Sequence, residues 1–294
     1  MKNILVTGAN GQLGNEMRVL SLENKEYNYF FTDVAELDIC DEKAVMAFVK
    51  ENEIDVFVNC AAYTAVDKKT NYSAEDKAED NQELCAKLNS EAVGYLAKAA
   101  EENQAEFIQI STDYVFDGTN YVPYRETEPT CPNSVYGVTK LAGEKKALEY
   151  CSKAMIIRTA WLYSVFGNNF VKTMIRLGKE RESLGVIFDQ IGTPTYARDL
   201  ASAVFAAIRK GIIPGIYHFS NEGVCSWYDF TKSIHRIAGI GNCKVSPLHT
   251  DEYPAKAPRP HYSVLDKTKI KHTYGIEIPH WEESQEQCNK ELIK

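Results

Sequence analysis

The strongest constraint on the fold is an apolar run near the amino terminus that passes directly into a glycine-rich turn. Asn3–Thr7, with the sequence NILVT, has the continuous apolar character of a strand buried on both faces. The next residues, GANGQLG, place Gly8, Gly11 and Gly14 ahead of a helix predicted to continue through Leu20. Glycines at this spacing allow a tight turn and close approach of the backbone to a pyrophosphate, and the helix N-terminus favours an anion. The pattern predicts the first βα turn of a dinucleotide-binding fold.

Strand and helix patterns alternate after this turn. The predicted strands are Tyr27–Asp33, Asp55–Ala61, Glu106–Thr112 and Ala154–Trp161. The predicted helices are Glu42–Glu51 with Asp41 as its cap, Leu84–Glu102, and a helix after Pro132 with Asn133 or Ser134 as its cap. This alternation predicts an α/β fold with a Rossmann-type doubly wound parallel sheet and right-handed crossovers.

The alternation loosens after about Tyr163, where short predicted elements are separated by turn-rich segments such as DQIGTPTYARD and the proline-rich residues Tyr253–Pro260. We therefore predict that residues 1–162 form the dinucleotide-binding core. Residues 163–294 are expected to form mainly a smaller, partly discontinuous C-terminal substrate lobe, with segments that return to the core. The charged stretch Asp67–Glu83 is interpreted as a surface insertion or a solvated helix start.

The helix after Pro132, SVYGVTKLAGEKKALEYC, carries a tyrosine and a lysine four residues apart, Tyr136 and Lys140. At this spacing the two side chains lie on one helical face. A phenol has a reference pKa of ~10, and an adjacent ammonium group would lower that pKa and make the phenol a workable proton donor. An apolar stripe of Val135, Val138, Leu141, Ala142 and Leu148 is expected to face the core. The pair suits a reaction that turns a carbonyl into an alcohol.

The same spacing occurs again at Tyr228 and Lys232, and either pair alone is compatible with two solvated surface residues. Context separates the two pairs. The second lies on a helix whose Trp227, Phe230 and Ile234 form a core-facing stripe, and no nucleotide motif leads into it. Tyr136 follows the glycine-rich turn and the strand end STD, so we interpret the first pair as the catalytic one.

Polar or small residues follow the predicted strands where a crevice at the carboxyl ends of a parallel sheet would lie. Asp33 ends the second strand about 20 residues beyond the glycines, where a carboxylate accepts hydrogen bonds from an adenosine ribose. The alternative is an aspartate that simply ends a strand. The fourth strand delivers Thr112, with Ser111 as the rival hydroxyl, to the position beside a substrate carbonyl.

The formal charge of −8 and the pI near 5.4 argue against nucleic-acid and anionic-membrane partners. Eight cysteines show neither a C-x-x-C pair nor a zinc-type Cys/His spacing, so we predict no metal site. The sequence shows no secretory signal and no apolar run approaching ~18 residues, which together with the unpaired cysteines favours a cytoplasmic protein.

Eight segments taken together resemble the dTDP-4-dehydrorhamnose reductases of the extended short-chain dehydrogenase/reductase family. They are TGANGQLG, NCAAYTAVD, STDYVFDG, SVYGVTKLAGE, RTAWLY, GNNFVKTM, DQIGTPTYARDLA and RPHYSVLD, in this order over nearly the whole chain. The resemblance implies hydride transfer from NADPH or NADH to the C4 ketone of dTDP-4-dehydro-β-L-rhamnose. The product would be dTDP-L-rhamnose, a precursor of surface polysaccharides.

The resemblance also implies a set of site residues. For the cofactor these are Gly8, Asn10, Gly11, Gln12, Leu13 and Gly14 at the pyrophosphate, Asp33, Asp38 and Ile39 at the adenosine end, and Ala61, Ala62 and Tyr63 near the nicotinamide. Tyr136, Lys140 and Thr112 would be catalytic, and Tyr136 and Lys140 would also contact the cofactor. Thr112, Asp113, Trp161 and Arg259 would contact the substrate, with Arg259 at the diphosphate.

A nucleotide sugar is the expected partner, with the protein a monomer or weak homodimer. Some relatives are thought to pair through a metal held by carboxylates. Glu16 fits such a role, but Arg198 stands where an acid is expected, which argues against a metal-bridged dimer.

Two alternative functions stay open. One is another nucleotide-sugar enzyme on the same scaffold, an epimerase or dehydratase, which would show no net turnover of added NADPH. The other is a non-catalytic dinucleotide-binding subunit that regulates a partner. The intact set of Thr112, Tyr136 and Lys140 argues against a regulatory subunit.

Overall fold

A computed structural model describes residues 1–63 and 74–293 of the chain. The strands are β1 (Lys2–Thr7), β2 (Tyr27–Thr32), β3 (Val56–Asn59), β4 (Glu106–Thr112), β5 (Ala154–Thr159), β6 (Leu162–Tyr163), β7 (Ser183–Ile187), β8 (Ile191–Gly192), β9 (Thr195–Tyr196), β10 (Gly215–His218), β11 (Cys225–Ser226) and β12 (Lys244–Leu248). The helices are α1 (Gln12–Ser21), α2 (Glu42–Glu51), α3 (Ala74–Asp80), α4 (Gln82–Ala86), α5 (Ala92–Glu102), α6 (Val135–Tyr150), α7 (Phe170–Glu180), α8 (Ala197–Lys210), α9 (Trp227–Ile237), α10 (Thr268–Tyr274) and α11 (Trp281–Leu292).

Six parallel strands form the main sheet, in the order β10-β5-β4-β3-β1-β2. The strand order reverses beside β1, which lies between β2 and β3. In open α/β sheets, ligands bind outside the carboxyl ends of the strands at such a reversal. This confirms the predicted doubly wound parallel sheet and places a crevice beyond Thr7, Thr32 and Asn59, which are register partners.

Helices cover both faces of the sheet, so its strands are buried and read as apolar runs. On one face, apolar residues of β1, β3, β4 and β5 pack with those of α1, α8 and α10. On the other face, α2, α5 and the end of α6 cover the sheet. The carboxyl ends stay polar, because the Thr7 hydroxyl donates to Asn59 Oδ1 (2.6 Å) and Asn59 Nδ2 donates to Gln109 Oε1 (2.7 Å).

Apart from the two faces of the main sheet, a further apolar cluster contains residues of α7, α9, α11 and the short strands after residue 161. It contains the large rings of Tyr163, Tyr196, Phe230 and Trp281. From this region α8 and β10 run back to the main sheet, where β10 pairs with β5. The boundary between core and lobe after residue 162 stays a prediction. No described helix is both long enough and apolar enough to cross a membrane.

Several local predictions hold in detail. Asp41 caps α2 by accepting from the amides of Lys43 and Ala44, and Ser134 caps α6 by accepting from the amide of Gly137. The predicted helix Leu84–Glu102 is interrupted by one π-helical turn at Lys87–Glu91, between α4 and α5.

Two local predictions hold only in part. On α6, Val135 and Leu141 pack against core clusters as predicted, but Val138 and Leu148 are exposed by 51% and 41%. The buried residues of the helix are Gly137, Thr139, Lys140, Gly143, Glu144 and Ala147. In the charged stretch, residues 80–83 are exposed as predicted, but α3 buries Ala78 and Asp76, and Ala78 joins a cluster that packs against Tyr136. Residues 67–73 of that stretch lie outside the described residues.

Candidate active site

The glycine-rich turn between β1 and α1 is shaped by two close backbone approaches. Gly8 has a φ of +63°, and a β-carbon on it would lie 2.7 Å from the Cα and N atoms of Ala61. A β-carbon on Gly14 would lie 2.5 Å from Ala9 Cα, so α1 begins directly against the turn. Gly11 is the N-cap of α1, and amides at a helix start are suited to bind a phosphate.

The other predicted residues of the turn differ in which of their atoms a ligand can reach. Asn10 and Gly11 are exposed, whereas the Leu13 side chain is buried in the core, so only its backbone can face a ligand. The Gln12 side chain reaches across the crevice, where its Oε1 accepts from Asn169 Nδ2 (3.0 Å) and its Nε2 donates to the Leu162 carbonyl (3.4 Å). Gln12 therefore ties the turn to the segment that follows β6.

Asp33 directly follows β2, and its carboxylate supports the glycine-rich turn. Its Oδ2 accepts from the Asn10 amide (3.1 Å) and its Oδ1 from the Val34 amide (2.9 Å). A carboxylate has about four acceptor sites, so it can also accept from a ribose hydroxyl. Asp38 is exposed and accepts from the Cys40 amide (2.9 Å), while the Ile39 side chain is buried in the core.

The carboxyl end of β3 forms the opposite wall. Ala61 and Ala62 are half-buried there, and Ala61 lies against Gly8. The Tyr63 amide donates to Asn89 Oδ1 (2.9 Å), which fixes the last described residue of this segment. Asn89 lies in the π-helical turn and also contacts the Thr139 hydroxyl on α6 (3.2 Å), so one buried amide links this wall to the helix of Tyr136.

Tyr136 and Thr112 lie side by side in the crevice, close enough that the Thr112 hydroxyl acts to lower the pKa of the Tyr136 phenol. The ring of Tyr114 packs edge-on against Tyr136, with centroids 5.7 Å apart. Burial raises the pKa of Tyr136, and the nearby carboxylates of Glu75 and Asp113 raise it further. The prediction that Lys140 leaves Tyr136 with a lowered pKa is therefore wrong for this structure. The phenol is held neutral, which is the form that can donate a proton.

Lys140 lies one helical turn below Tyr136 and is only 4% exposed. Its Nζ donates to the carbonyl of Ile110 on β4 (2.6 Å). Burial lowers the pKa of Lys140 to about 8, against the opposing effect of the Glu144 carboxylate. Lys140 thus joins the catalytic helix to the strand that carries Thr112.

Asp113 follows Thr112 in a short 3-10 turn and is buried. Its Oδ1 accepts from the Thr112 hydroxyl (3.0 Å). Burial raises the pKa of Asp113 to about 7, although hydrogen bonds from Ser263 and Thr112 act in the opposite direction. Thr112 therefore lies between the phenol and a carboxyl group that titrates near neutral pH.

Trp161 has a φ of +49° and is half-buried. Its ring stacks on Trp227 of α9, with centroids 3.6 Å apart and planes at 11°. A β-carbon on Gly192 would lie 2.6 Å from the indole, so a glycine is needed beneath its edge. One face of the ring is thus covered by Trp227. This partner was identified in the sequence only as part of the core-facing stripe of α9.

Arg259 is held on the same side of the molecule as Tyr136, through α3. Its Nη2 contacts Asp76 Oδ2 (2.8 Å), and both side chains are largely buried. Asp76 also accepts from the amides of Lys256 and Ala257 (3.0 and 2.9 Å), so α3 is joined to the proline-rich segment. The structure therefore gives Arg259 a carboxylate partner that the sequence did not reveal.

Arg198 replaces the acid expected beside Glu16 and binds two carboxylates. Its Nε contacts Glu16 Oε2 (2.9 Å) and its Nη1 contacts Glu291 Oε1 (2.6 Å). Within residues 1–63 and 74–293, no three His, Cys, Asp or Glu side chains are grouped so as to hold a metal ion. The second tyrosine–lysine pair lies on α9, where Lys232 is exposed.

Comparison with known proteins gives a consistent result. The family model for the RmlD substrate binding domain matches residues 1–293. A dTDP-4-dehydrorhamnose reductase of Escherichia coli (strain K12) is 40% identical over 305 residues, which cover 99% of this chain and 98% of that protein.

Two solved structures are also similar. A dTDP-4-dehydrorhamnose reductase of Clostridium acetobutylicum has a TM-score of 0.92 and 44% identity, covering 99% of this chain and 100% of the other. The enzyme of the same name from Bacillus anthracis, solved in complex with NADP, has a TM-score of 0.92 and 39% identity with the same coverage.

Proposed function

This chain belongs to the family of the dTDP-4-dehydrorhamnose reductases, and we propose that the crevice around Tyr136, Thr112 and Lys140 is its active site. The protein is an oxidoreductase that uses NAD(P)H to reduce dTDP-4-dehydrorhamnose in dTDP-rhamnose synthesis. The roles of individual residues are the proposal that follows.

The residues at the sheet reversal fit a dinucleotide. Gly8 and Gly14 stand where any β-carbon would collide with backbone, so the turn leaves room for a pyrophosphate against the start of α1. Asp33 is in place to accept from the adenosine ribose, with Asp38 and Ile39 beside it. Asn10–Leu13 cover the pyrophosphate, and Ala61–Tyr63 line the nicotinamide end. When bound, the cofactor supplies the hydride that reduces the C4 ketone.

Tyr136 is the general acid. Its raised pKa keeps the proton on the phenol until negative charge develops on the ketone oxygen. The Thr112 hydroxyl, which donates to Asp113 Oδ1 in this structure, turns to donate to the same oxygen when the substrate binds. Acid–base assistance of this kind contributes ~10²–10⁴ in rate, and one donor to an oxyanion contributes ~10²–10³. Lys140, on α6 and bonded to the Ile110 carbonyl of β4, orients Tyr136 and the nicotinamide ribose.

Asp113 and Trp161 contact the sugar in this proposal, and Arg259 contacts the diphosphate. The Asp76 carboxylate occupies Arg259 in this structure, so a diphosphate would have to share or displace it. A cytoplasmic location and a monomeric or weakly dimeric state without nucleic-acid or membrane partners stay predictions.

The observation that carries the proposal is the placement of Tyr136 beside Thr112 at the carboxyl end of β4, with Lys140 of the same helix bonded to the Ile110 carbonyl of that strand. The test is to follow NADPH absorbance after dTDP-4-dehydrorhamnose is added to the purified protein, and to identify the product. Stoichiometric loss of NADPH with formation of dTDP-rhamnose is expected. Conversion of the nucleotide sugar without NADPH consumption would indicate an epimerase or dehydratase, and cofactor binding without conversion would indicate a regulatory subunit.

A further inference from the structure

The catalytic face of α6 continues one turn beyond Lys140, at Glu144. Glu144 is 1% exposed and Arg158 on β5 is 2% exposed. Arg158 grips the carboxylate with two nitrogens, Nε to Oε1 (2.9 Å) and Nη2 to Oε2 (2.7 Å). The Ser111 hydroxyl donates to Oε1 of the same carboxylate. A bidentate, hydrogen-bonded pair of this kind has a well-defined geometry.

Glu144, Arg158 and Ser111 lie together next to the proposed active site. Ser111 immediately precedes Thr112 on β4, and Arg158 is its register partner on β5. The residue before Ser111, Ile110, offers the carbonyl that Lys140 Nζ contacts. Lys140 and Glu144 lie on successive turns of α6 and bond to Ile110 and Ser111, which are successive residues of β4. Both bonds lie next to Thr112 and Tyr136.

Fold stability alone does not account for such an arrangement. Buried ion pairs are costly to desolvate, and well-packed apolar side chains often replace them without loss of stability. Here the surroundings are adapted to the charges. The Arg158 guanidinium lies over the Phe116 ring at 5.2 Å. Burial and the Arg158 charge lower the pKa of His218, its partner on β10, to about 3, so this imidazole stays neutral.

We propose that Glu144, held by Arg158 and Ser111, is a positioning residue that sets the depth of α6 against β4 and keeps the Lys140 ammonium charged. This inference rests on the proposed function, because it assigns a further residue to the same reaction. Glu144 acts through Lys140 and Tyr136 and does not itself touch the substrate.

The charges around Lys140 support this role. The ionisable groups that act on it are Glu144 on its own helix, Cys85 on α4 and Cys60 after β3. Burial raises the pKa of Cys60 to about 12 and raises that of Cys85 as well, so both thiols are neutral at working pH. Glu144 is therefore the negative charge among these three. Its removal should lower the pKa of Lys140 below about 8, so the ammonium is lost at lower pH.

The test is the pH profile of kcat for the wild type and Glu144→Gln with NADPH and dTDP-4-dehydrorhamnose. The amide keeps one oxygen for Arg158 Nε and Ser111, and it removes the charge and the acceptor that Arg158 Nη2 contacts. We expect the alkaline limb to move down by about one pH unit, the effect of losing one nearby opposite charge. The loss of kcat should then be about tenfold above the limb and small below it. Glu180→Gln, in the exposed Arg176–Glu180 pair of α7, is the matched control and should leave the profile unchanged.

The variant Arg158→Met tests the same role independently. Without Arg158, the buried Glu144 carboxylate has no partner and becomes protonated, so its charge is lost. This variant should shift the limb in the same direction, and the double variant Glu144→Gln/Arg158→Met should shift it no further than Glu144→Gln alone. If these variants do not fold, Ser111→Ala keeps both charges and should lower kcat severalfold with an unchanged limb. Wild-type kcat in Ser111→Ala would overturn the positioning role.

If Glu144→Gln lowers Tm but leaves the alkaline limb of the kcat profile at its wild-type pH, the Glu144–Arg158 pair has only a structural role. NADPH affinity, measured by fluorescence across the same pH range, should weaken at lower pH in Glu144→Gln than in the wild type. This binding experiment does not depend on the sugar substrate. Absence of turnover in the wild type would instead refute the proposed function.

Discussion

Trp161→Ala is expected to weaken the nucleotide sugar far more than NADPH. Trp161 follows β5, the neighbour of the strand that carries Thr112, and its ring is covered on one face by Trp227 at 3.6 Å. We propose that the sugar contacts the part of the ring that Trp227 leaves uncovered. A well-covered stacked ring contributes ~1–3 kcal/mol, so KM for the nucleotide sugar should rise about 5- to 150-fold.

The competing explanation is that Trp161 is a core residue. Loss of a stacked aromatic pair costs ~0.5–1.5 kcal/mol beyond the lost burial, and full truncation of a buried tryptophan costs ~3–5 kcal/mol. Trp161→Ala should lower the free energy of unfolding by less than the ~3–5 kcal/mol of a fully buried tryptophan, because Trp161 is only half-buried. Trp227→Ala is the matched control, since it breaks the same stack from α9.

Tm and KM for both ligands should be measured on the same preparations of the two variants. We expect both variants to lower Tm, and only Trp161→Ala to raise KM for the nucleotide sugar selectively. A large fall in Tm with little change in KM would make Trp161 a core residue. An equal rise in KM for NADPH would refute the placement of the sugar beside Trp161.

Three further perturbations test other parts of the site. Asp33→Ala should shift the ratio of kcat/KM toward NADPH, because the carboxylate repels a 2′-phosphate; an unchanged ratio would remove Asp33 from cofactor selection. Gly8→Ala should weaken NADPH binding and lower Tm more than Gly239→Ala, measured by fluorescence titration and thermal melts. Both glycines have positive φ (+63° and +67°), but only at Gly8 would the β-carbon meet backbone, that of Ala61. Asp113→Asn should raise Tm relative to the wild type at pH 8 and much less at pH 5. With the pKa raised to about 7, the folded state loses stability as the pH rises from the ordinary aspartate pKa of ~3.9 to about 7, and the loss is complete above that value. Equal differences at both pH values would contradict the raised pKa of the buried Asp113 carboxyl.

Local chemistry made much of the fold predictable. The strand Glu106–Thr112 was predicted with its observed bounds, and Ser134 was one of two predicted caps of α6. Such features depend on apolar runs and on side chains that bond to nearby amides, which a sequence displays directly. The glycine-rich turn was predictable from its motif, although only the contact of Gly14 with Ala9 is local and Gly8 is required by Ala61, which is distant in sequence.

The buried face of α6 was not predictable in the same way. An apolar stripe is expected to face the core, but Val138 faces solvent while Lys140 and Glu144 are buried. Lys140 bonds to the Ile110 carbonyl of β4, and Glu144 bonds to Ser111 of β4 and Arg158 of β5. These partners lie beside the helix because of the tertiary fold. The partner of Arg259 is likewise distant in sequence, since Asp76 lies 183 residues away. Pairs of opposite charge at such separations leave no periodic signal.

The role of Tyr136 as the proton donor is tested most directly by kcat for Tyr136→Phe, measured beside NADPH affinity on the same protein. Removal of one hydroxyl should lower kcat by ~10²–10⁴ while NADPH affinity and Tm stay near wild type. Tyr228→Phe, on the second tyrosine–lysine pair, should remain fully active. Near-normal kcat in Tyr136→Phe, or an equal loss in Tyr228→Phe, would contradict the assignment.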